Sequence, residues 1–266
     1  MKNSFQYRAT CISQTGRIRD DNEDNFYFDG KVLPAANDGL KKAVYIEGST
    51  KEILNLAVFD GMGGEVGGEI AAHTAAEEYK KQVELLQTQA QQPSKFLDAT
   101  VDMINTAVFE KGKEIGAERI GTTAAIFYAV LNQVYLCNVG DSRVYRYRKG
   151  KLTVLTVDDT ISNPNIKNQH LTQFIGIDSE RYSLTKHIRK GTINRRDVFL
   201  LCSDGLYNMV SEKDLRHILT KNKHDINQCA EELTHKAMDN GGEDNCTVIL
   251  VEFYQESLLS KLFRRS

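Results

Sequence analysis

Only three prolines and five cysteines occur among the 266 residues. There is also no repeat, low-complexity block or Gly/Ser linker to mark an internal boundary, so a single domain over 1–256 is expected. The cysteines, at positions 11, 137, 202, 229 and 246, contain no C-x-x-C pair and mostly sit in apolar strand-like runs. They read as buried thiols of a reducing cytoplasm, not as a disulfide framework. Long apolar runs are missing too. The opening Met1-Lys2-Asn3-Ser4-Phe5 lacks the apolar centre of a signal peptide, and no later stretch is long enough to cross a bilayer. A cytoplasmic protein without stable membrane insertion is therefore expected. Nor is there an excess of one charge: 34 Lys plus Arg against 36 Asp plus Glu leave a net charge of -2, without the basic footprint of a nucleic-acid binder.

Several chemistries are excluded by what is absent. No G-x-x-x-x-G-K phosphate cradle exists, since Gly61-Met62-Gly63-Gly64 lacks the lysine, and no G-x-S-x-G elbow supplies a serine nucleophile. The six histidines have no nucleophile beside them in sequence. A calcium loop counted from Asp20 places Asn25 where glycine is required and Lys31 where the closing glutamate is required.

What is present is a run of strand and helix signals. Short strands are expected at 5–12 and 25–28, and a buried one over 53–59 that stops at Asp60-Gly61. Helices follow from Gly68 to about Gln89 and from Pro93 to about Gly116. A meander comes next, with strands at 122–131, 134–139, 143–148 and 152–155, an Asn132-Gln133 turn and a Lys149-Gly150 turn. After an irregular stretch around 156–170 come strands at 181–189 and 197–202, helices near 211–220 and 225–239, and a last strand at 246–253. Strands in runs joined by tight turns, with long helices in pairs between them, make the class α+β: two antiparallel sheets flanked by helix pairs.

Five acidic sites share one setting, at an apolar strand end or the turn beside it. They are Asn22-Glu23-Asp24-Asn25, Phe59-Asp60-Gly61, Gly140-Asp141-Ser142-Arg143, Ser203-Asp204-Gly205 and Gly242-Glu243-Asp244-Asn245. Taken singly, an Asp-Gly pair is most often a turn cap. Five together point further, because converging carboxylates repel one another unless a cation lies among them. Oxygen ligands without paired Cys or His favour magnesium or manganese over zinc.

In order and spacing these pieces, together with Gly16-Arg17-Ile18-Arg19 and Gly121-Thr122-Thr123, resemble the metal-dependent protein phosphatases, the type 2C serine/threonine class, in their bacterial form. The resemblance runs from about residue 5 to 253. It implies a four-layer α-β-β-α sandwich with two Mn2+ or Mg2+ ions in a cleft at one end, hydrolysing phosphoserine and phosphothreonine by attack of a metal-bridging hydroxide. By the same resemblance Asp60 bridges the metals, Asp204 and Asp244 complete the first, and Glu23 with the Gly61 carbonyl serves the second. Asp24 stands behind them, Asp141 with Asp204 holds a third ion, and Arg19 binds the phosphate. The implied partners are phosphorylated Ser/Thr proteins and a cognate kinase.

The chain departs from the family pattern in three places. Met62 stands where animal-type members carry histidine, as in bacterial members, so the proton for the leaving alkoxide comes from another group. The flap at 156–180 is shorter than is usual in bacterial members, and 34–52 is an insertion suggesting a hairpin. Two competing readings are a catalytically dead phosphoprotein-binding regulator of the same fold and a hydrolase of small phosphate esters. The tail 257–266 is short, basic and amphipathic, either a solvated helix end or a contact for a membrane or partner.

Overall fold

Period-two alternation in the strands accounts for the layering. In the fourth strand Leu54, Leu56 and Val58 point into one cluster of buried side chains while Ala57 and Phe59 point into another. A strand apolar on both faces is one covered on both sides. The computed structural model describes residues 4–63, 67–86, 92–117, 119–161, 170–222 and 225–255. The expected tail at 257–266, Gly64 and the middle of the expected flap at 162–169 lie outside them.

In chain order the elements are β1 (Gln6–Gln14), β2 (Asp24–Phe28), β3 (Val44–Ser49), β4 (Leu54–Met62), α1 (Gly68–Leu86), α2 (Pro93–Ile115), β5 (Gly121–Thr122), β6 (Ala124–Val130), β7 (Gln133–Val139), β8 (Arg143–Arg148), β9 (Lys151–Val154), β10 (Thr160–Ile161), β11 (His170–Leu171), β12 (His187–Thr192), β13 (Val198–Cys202), α3 (Asp204–Tyr207), α4 (Glu212–Lys221), α5 (Ile226–Asp239) and β14 (Cys246–Tyr254). One six-stranded sheet has the order β3-β1-β14-β13-β8-β9, and a second runs β12-β7-β6-β4-β2, with β5 paired to the end of β4. All the pairings are antiparallel.

Between the sheets lies a dry layer with Phe26, Phe28, Leu56 and Phe127 on one side and Val144, Phe199, Ile249 and Phe253 on the other. Phe127 sits edge-on to Phe199 at 5.0 Å between ring centroids. Helices α1 and α2 cover the outer face of the second sheet through Ala72, Ala76, Tyr79, Leu97 and Ile104. The apolar stripes of α4 and α5 cover the first through Leu215, Leu219, Leu233 and Ala237. The expected α-β-β-α order is thus the observed one. Helix α2 begins on Pro93 and ends on Gly116 with φ 70°, whose N–H closes back onto Lys113.

Four local expectations are corrected. The strand expected at 181–189 begins only at His187, because Asp178 folds the preceding residues into a turn: its carbonyl accepts from the N–H groups of Arg181 and Tyr182, and its Oδ1 from that of Glu180. The insertion at 34–52 is no hairpin. It contributes the single strand β3, which pairs with β1 as the sheet edge and lays Val44 and Ile46 against the inter-sheet core. The hairpin after β6 turns at Leu131 (φ 55°) and Asn132, one residue early, because buried Thr50 holds Leu131 by donating its hydroxyl to the Leu131 carbonyl at 2.6 Å. The stretch around 156–170 contains the small β10–β11 hairpin, and the helical turn α3 directly after β13 was not expected.

Phe127, on the second sheet, packs against the first sheet's Phe199 and Phe253, with ring centroids at 5.0 and 6.3 Å, so Phe127→Ala is expected to lower stability by about 3–5 kcal/mol, read from the urea midpoint by circular dichroism. A loss no larger than that of a surface change, about 0.5 kcal/mol, would refute its place at the centre of the core.

Candidate active site

The alternation that fills the inter-sheet layer also ends it. Two residues beyond Val58, on the same face of β4, stands Asp60; two before Phe26, on the same face of β2, stands Asp24; and the two are direct cross-strand partners. On the opposite sheet the inward series closes on Ser13, Ser203 and Thr247, which form a polar cap. The hydroxyls of Ser13 and Thr247 share a hydrogen bond at 2.9 Å, and the Thr247 N–H donates to Ser203 Oγ at 3.0 Å. Ser203 in turn donates its hydroxyl to Asp24 Oδ2 at 2.7 Å. The other Asp24 oxygen, Oδ1, is buried without any partner.

Around this pair the remaining carboxylates arrive from different elements. Asp204 opens α3, with Oδ2 accepting from Asn208 Nδ2 at 3.0 Å. Asp141 follows β7, and Tyr207 donates its hydroxyl to the Asp141 carbonyl at 3.0 Å. Asp244 precedes β14 and accepts from Arg19 Nη2 at 2.8 Å. Glu23 precedes β2, and the Gly61 N–H donates to the Glu23 carbonyl at 3.1 Å. Here one glycine is required: a Cβ on Gly61 would run into the backbone carbonyls of Gly68 and Glu23. Asp24 is buried, whereas Glu23, Asp60, Asp141, Asp204 and Asp244 are half-buried at the mouth and Arg19 is exposed.

Crowding shows in the acidities. Burial, then the charges of Asp24, Asp204, Asp141 and Asp244, hold the Asp60 carboxyl well above the usual carboxylate range. Asp204 is pushed up to about 7 by burial, then by Asp141, Asp244 and Asp24, with a hydrogen bond to Asp60 opposing. Asp24 rises to about 7 mainly through burial, against the hydrogen bond it accepts from Ser203. Glu23 and Asp141 are raised as well, burial being the largest cause for each. Among the described residues, no three Asp, Glu, His or Cys side chains already meet around one point as a ready metal cage. The carboxylates are neighbours held apart by like charge, with Arg19 neutralising Asp244. The donor set is all oxygen, buried Asp24 Oδ1 is unpartnered, and burial followed by mutual repulsion holds the carboxyls above their ordinary pKa, so the residues fit a hard divalent cation.

All eight residues singled out by sequence are thus brought to one end of the sandwich. The supporting polar residues were missed. Asn245 is the most connected: its Nδ2 donates to the carbonyls of Thr15 at 2.7 Å and Asp21 at 2.9 Å, while its Oδ1 accepts the Glu23 N–H at 2.8 Å. It ties the loop carrying Arg19 and Glu23 to the start of β14. Thr123 accepts the Asp60 N–H at 3.1 Å and bonds Ser142 at 2.7 Å, linking Asp60 to the Asp141 turn. Both stood inside quoted motifs, and that position was the only signal.

The family model for protein phosphatase 2C matches residues 41–239, three-quarters of the chain. The chain belongs to the protein phosphatase 2C family. Among curated relatives of this phosphatase 2C chain, the serine/threonine phosphatase stp of Listeria innocua is 30% identical over 260 residues, spanning 92% of this chain and 95% of that protein. Its fold is similar to the crystal structure of the Mycobacterium tuberculosis serine/threonine phosphatase PstP/Ppp, with TM-score 0.74 and 25% identity over 94% of this chain and all of that one. A second structure, the PstP catalytic domain in complex with two manganese ions, matches at TM-score 0.72 and 25% identity, with the same coverage.

Carboxyls whose folded pKa lies above the unfolded value bind more protons in the folded state between the two, so stability falls as pH rises through that window. For Asp24 and Asp204 the window runs from about 4 to about 7. The metal-free protein should therefore lose stability between pH 5 and pH 7.5, and Asp204→Asn should flatten the loss. Urea midpoints in the presence of a chelator check this; an equally steep loss in the variant would contradict the crowding.

Proposed function

We propose that this chain is a metal-dependent protein phosphatase that removes phosphate from phosphoserine and phosphothreonine in proteins, using the carboxylates gathered at the end of the inter-sheet layer. The observation that carries the reading is the set of mutually repelling carboxyls around Asp60, whose charges have no sufficient counter-ion among the described residues. Asp60, central to the set, would bridge two Mn2+ or Mg2+ ions. Asp204 and Asp244 would complete the first ion, and Glu23 with the Gly61 carbonyl the second, while Asp24 fixes the arrangement from behind through Ser203. Asp141, whose charge acts on Asp204, would share a third. Bound there, such ions supply a water acidic enough to attack at neutral pH and neutralise charge on the phosphoryl oxygens.

The chain's own part is positioning. Arg19 rests on Asp244, at the rim; when Asp244 turns to a cation the guanidinium fork is freed for two phosphate oxygens. Asn208 and Tyr207 steady Asp204 and the Asp141 turn. A groove of about 800 Å³ opens from Met62 and Gly121, next to Asp60, and runs between the end of α2 and residues 171–183, past Phe109, Phe174 and Tyr182. The groove is lined by none of the site carboxylates and meets them only through Met62 at the end of β4, so it would take the polypeptide flanking a phosphorylated residue and not the phosphate itself. Five buried free thiols favour the cytoplasm, where the partners would be phosphoproteins and the Ser/Thr kinase that makes them, in a signalling pair. Among the described residues, no helix is long and apolar enough to cross a membrane.

Asp60→Asn and Asp204→Asn are each expected to abolish manganese-dependent phosphate release from a phosphothreonine peptide while circular dichroism stays unchanged. Activity that survives chelation, or survives both substitutions, sinks the mechanism. Arg19→Ala should raise KM by about tenfold or more, the effect of a lost charge-assisted hydrogen bond, and unchanged KM and kcat would remove Arg19 from the phosphate site. Comparing the phosphopeptide with p-nitrophenyl phosphate tests the substrate class: a higher kcat/KM on the small ester would overturn the protein-substrate reading.

A further inference from the structure

Away from the carboxylates, the same inter-sheet layer opens at one flank, between β9 at the edge of the first sheet and β12 at the edge of the second. On β8, the face that points Val144 into the core also carries Arg146 and Arg148; Arg146 is the direct partner of inward-facing Phe199. On β12, Arg189 pairs with inward-facing Leu136. Three guanidiniums therefore face one slot. Two of them cross it: Arg148 Nη2 donates to the Thr192 carbonyl on β12 at 3.0 Å, and Arg189 Nη1 donates to the Leu155 carbonyl beyond β9 at 2.9 Å.

Arg146 lies between these crossings, two residues from each of Val144 and Arg148, and its Nε is buried with no hydrogen-bond partner. One carboxylate is near, and it is committed. Asp197, wholly buried, takes Arg148 through both oxygens and accepts the Asn194 N–H at 2.8 Å. The other two guanidiniums meet neutral carbonyls or nothing. Segments 146–151 and 189–196 add lysines and arginines and contain no Asp or Glu. Burial, followed by the charges of Arg148 and Arg189, lowers the Arg146 pKa, with Asp197 opposing in part. A buried donor without an acceptor is costly, and like charges across a slot repel, so the slot lacks an anion.

We propose that Arg146 and Arg189, with the charge of Asp197-bound Arg148 behind them, form a binding site for a phosphoryl dianion at the open flank of the sandwich. Planar guanidinium forks match tetrahedral phosphate oxygens, and a dianion balances the two charges that Asp197 leaves uncompensated. Arg189 is exposed, which leaves the slot open to solvent. Free phosphate and a second phosphorylated residue on a bound protein carry the same chemistry.

The test follows the arginine Nε–Hε NMR signals of the full magnesium-loaded chain during titration with inorganic phosphate, and separately with a peptide bearing a non-hydrolysable phosphothreonine analogue. Arg146→Gln assigns one signal, and Arg189→Gln another. Saturable shifts of both signals are expected with at least one titrant, and Arg146→Gln should weaken the Arg189 response by about tenfold or more, with turnover of p-nitrophenyl phosphate unchanged. A response to free phosphate identifies an ion site, and a response to the peptide alone a site for a second phosphoresidue; either supports the proposal. Signals that stay unmoved by both, or that move equally with chloride at matched ionic strength, overturn it. The readout needs no catalysis, so its failure leaves the phosphatase reading untouched, and loss of phosphatase activity leaves the flank site standing.

Discussion

The structure depends on one electrostatic constraint: several carboxylates are held at the end of a dry layer that cannot move away from them. Strand alternation fixes Asp24 and Asp60 opposite one another as firmly as it fixes Phe26 and Val58, because the same β2–β4 ladder carries all four. Turning either acid out of the site would turn its whole strand face out of the core. The sandwich can therefore carry burial and repulsion that a loop would relax by moving, and both hold the carboxyls of Asp24, Asp60 and Asp204 above their ordinary pKa.

Around that constraint the neutral polar residues are arranged as restraints. Ser203 holds one oxygen of Asp24 and leaves the other bare, Asn245 fastens the Glu23 loop by three hydrogen bonds, and Thr123 joins the backbone of Asp60 to Ser142 beside Asp141. Each restrains geometry without supplying positive charge. Arg19 is the cation that reaches the cluster directly, and it does so at the exposed rim, where its bond to Asp244 can exchange at small cost.

The carboxylates were legible because strand-end acids interrupt an apolar period in a way that a chain of 266 residues shows five times. Glu23 and Arg19 have no such period around them, and only the family resemblance singled them out. The supporting residues were hidden for a different reason. A serine or threonine at an inward position, such as Ser13, Ser203 or Thr247, reads as an ordinary outward-facing polar residue until the neighbouring strand, or for Ser203 the facing Asp24, supplies its partner. The misplaced start of β12 and the misread 34–52 insertion have the same origin: Asp178 captures three backbone N–H groups locally, and β3 exists because β1 has a free edge, which its own sequence does not reveal.

One layer thus carries opposite charges at different openings, carboxylates at the mouth and guanidiniums along the β9–β12 flank. Both openings follow from the same geometry, since a two-sheet sandwich closed by helices on its faces leaves only its ends and edges to water. Polar side chains that continue the inward period must emerge there, where desolvation is partial and charge is tolerated. At the mouth the inward period ends in acids from both strands of one ladder; at the flank it ends in Arg146 and Arg148 on one sheet and Arg189 on the other. The mouth holds more carboxylates than Arg19 offsets, and the flank more guanidiniums than Asp197 offsets. The two deficits have opposite signs and lie on the same rigid layer, so an ion at one opening leaves the other uncompensated, and each opening selects its own ligand class.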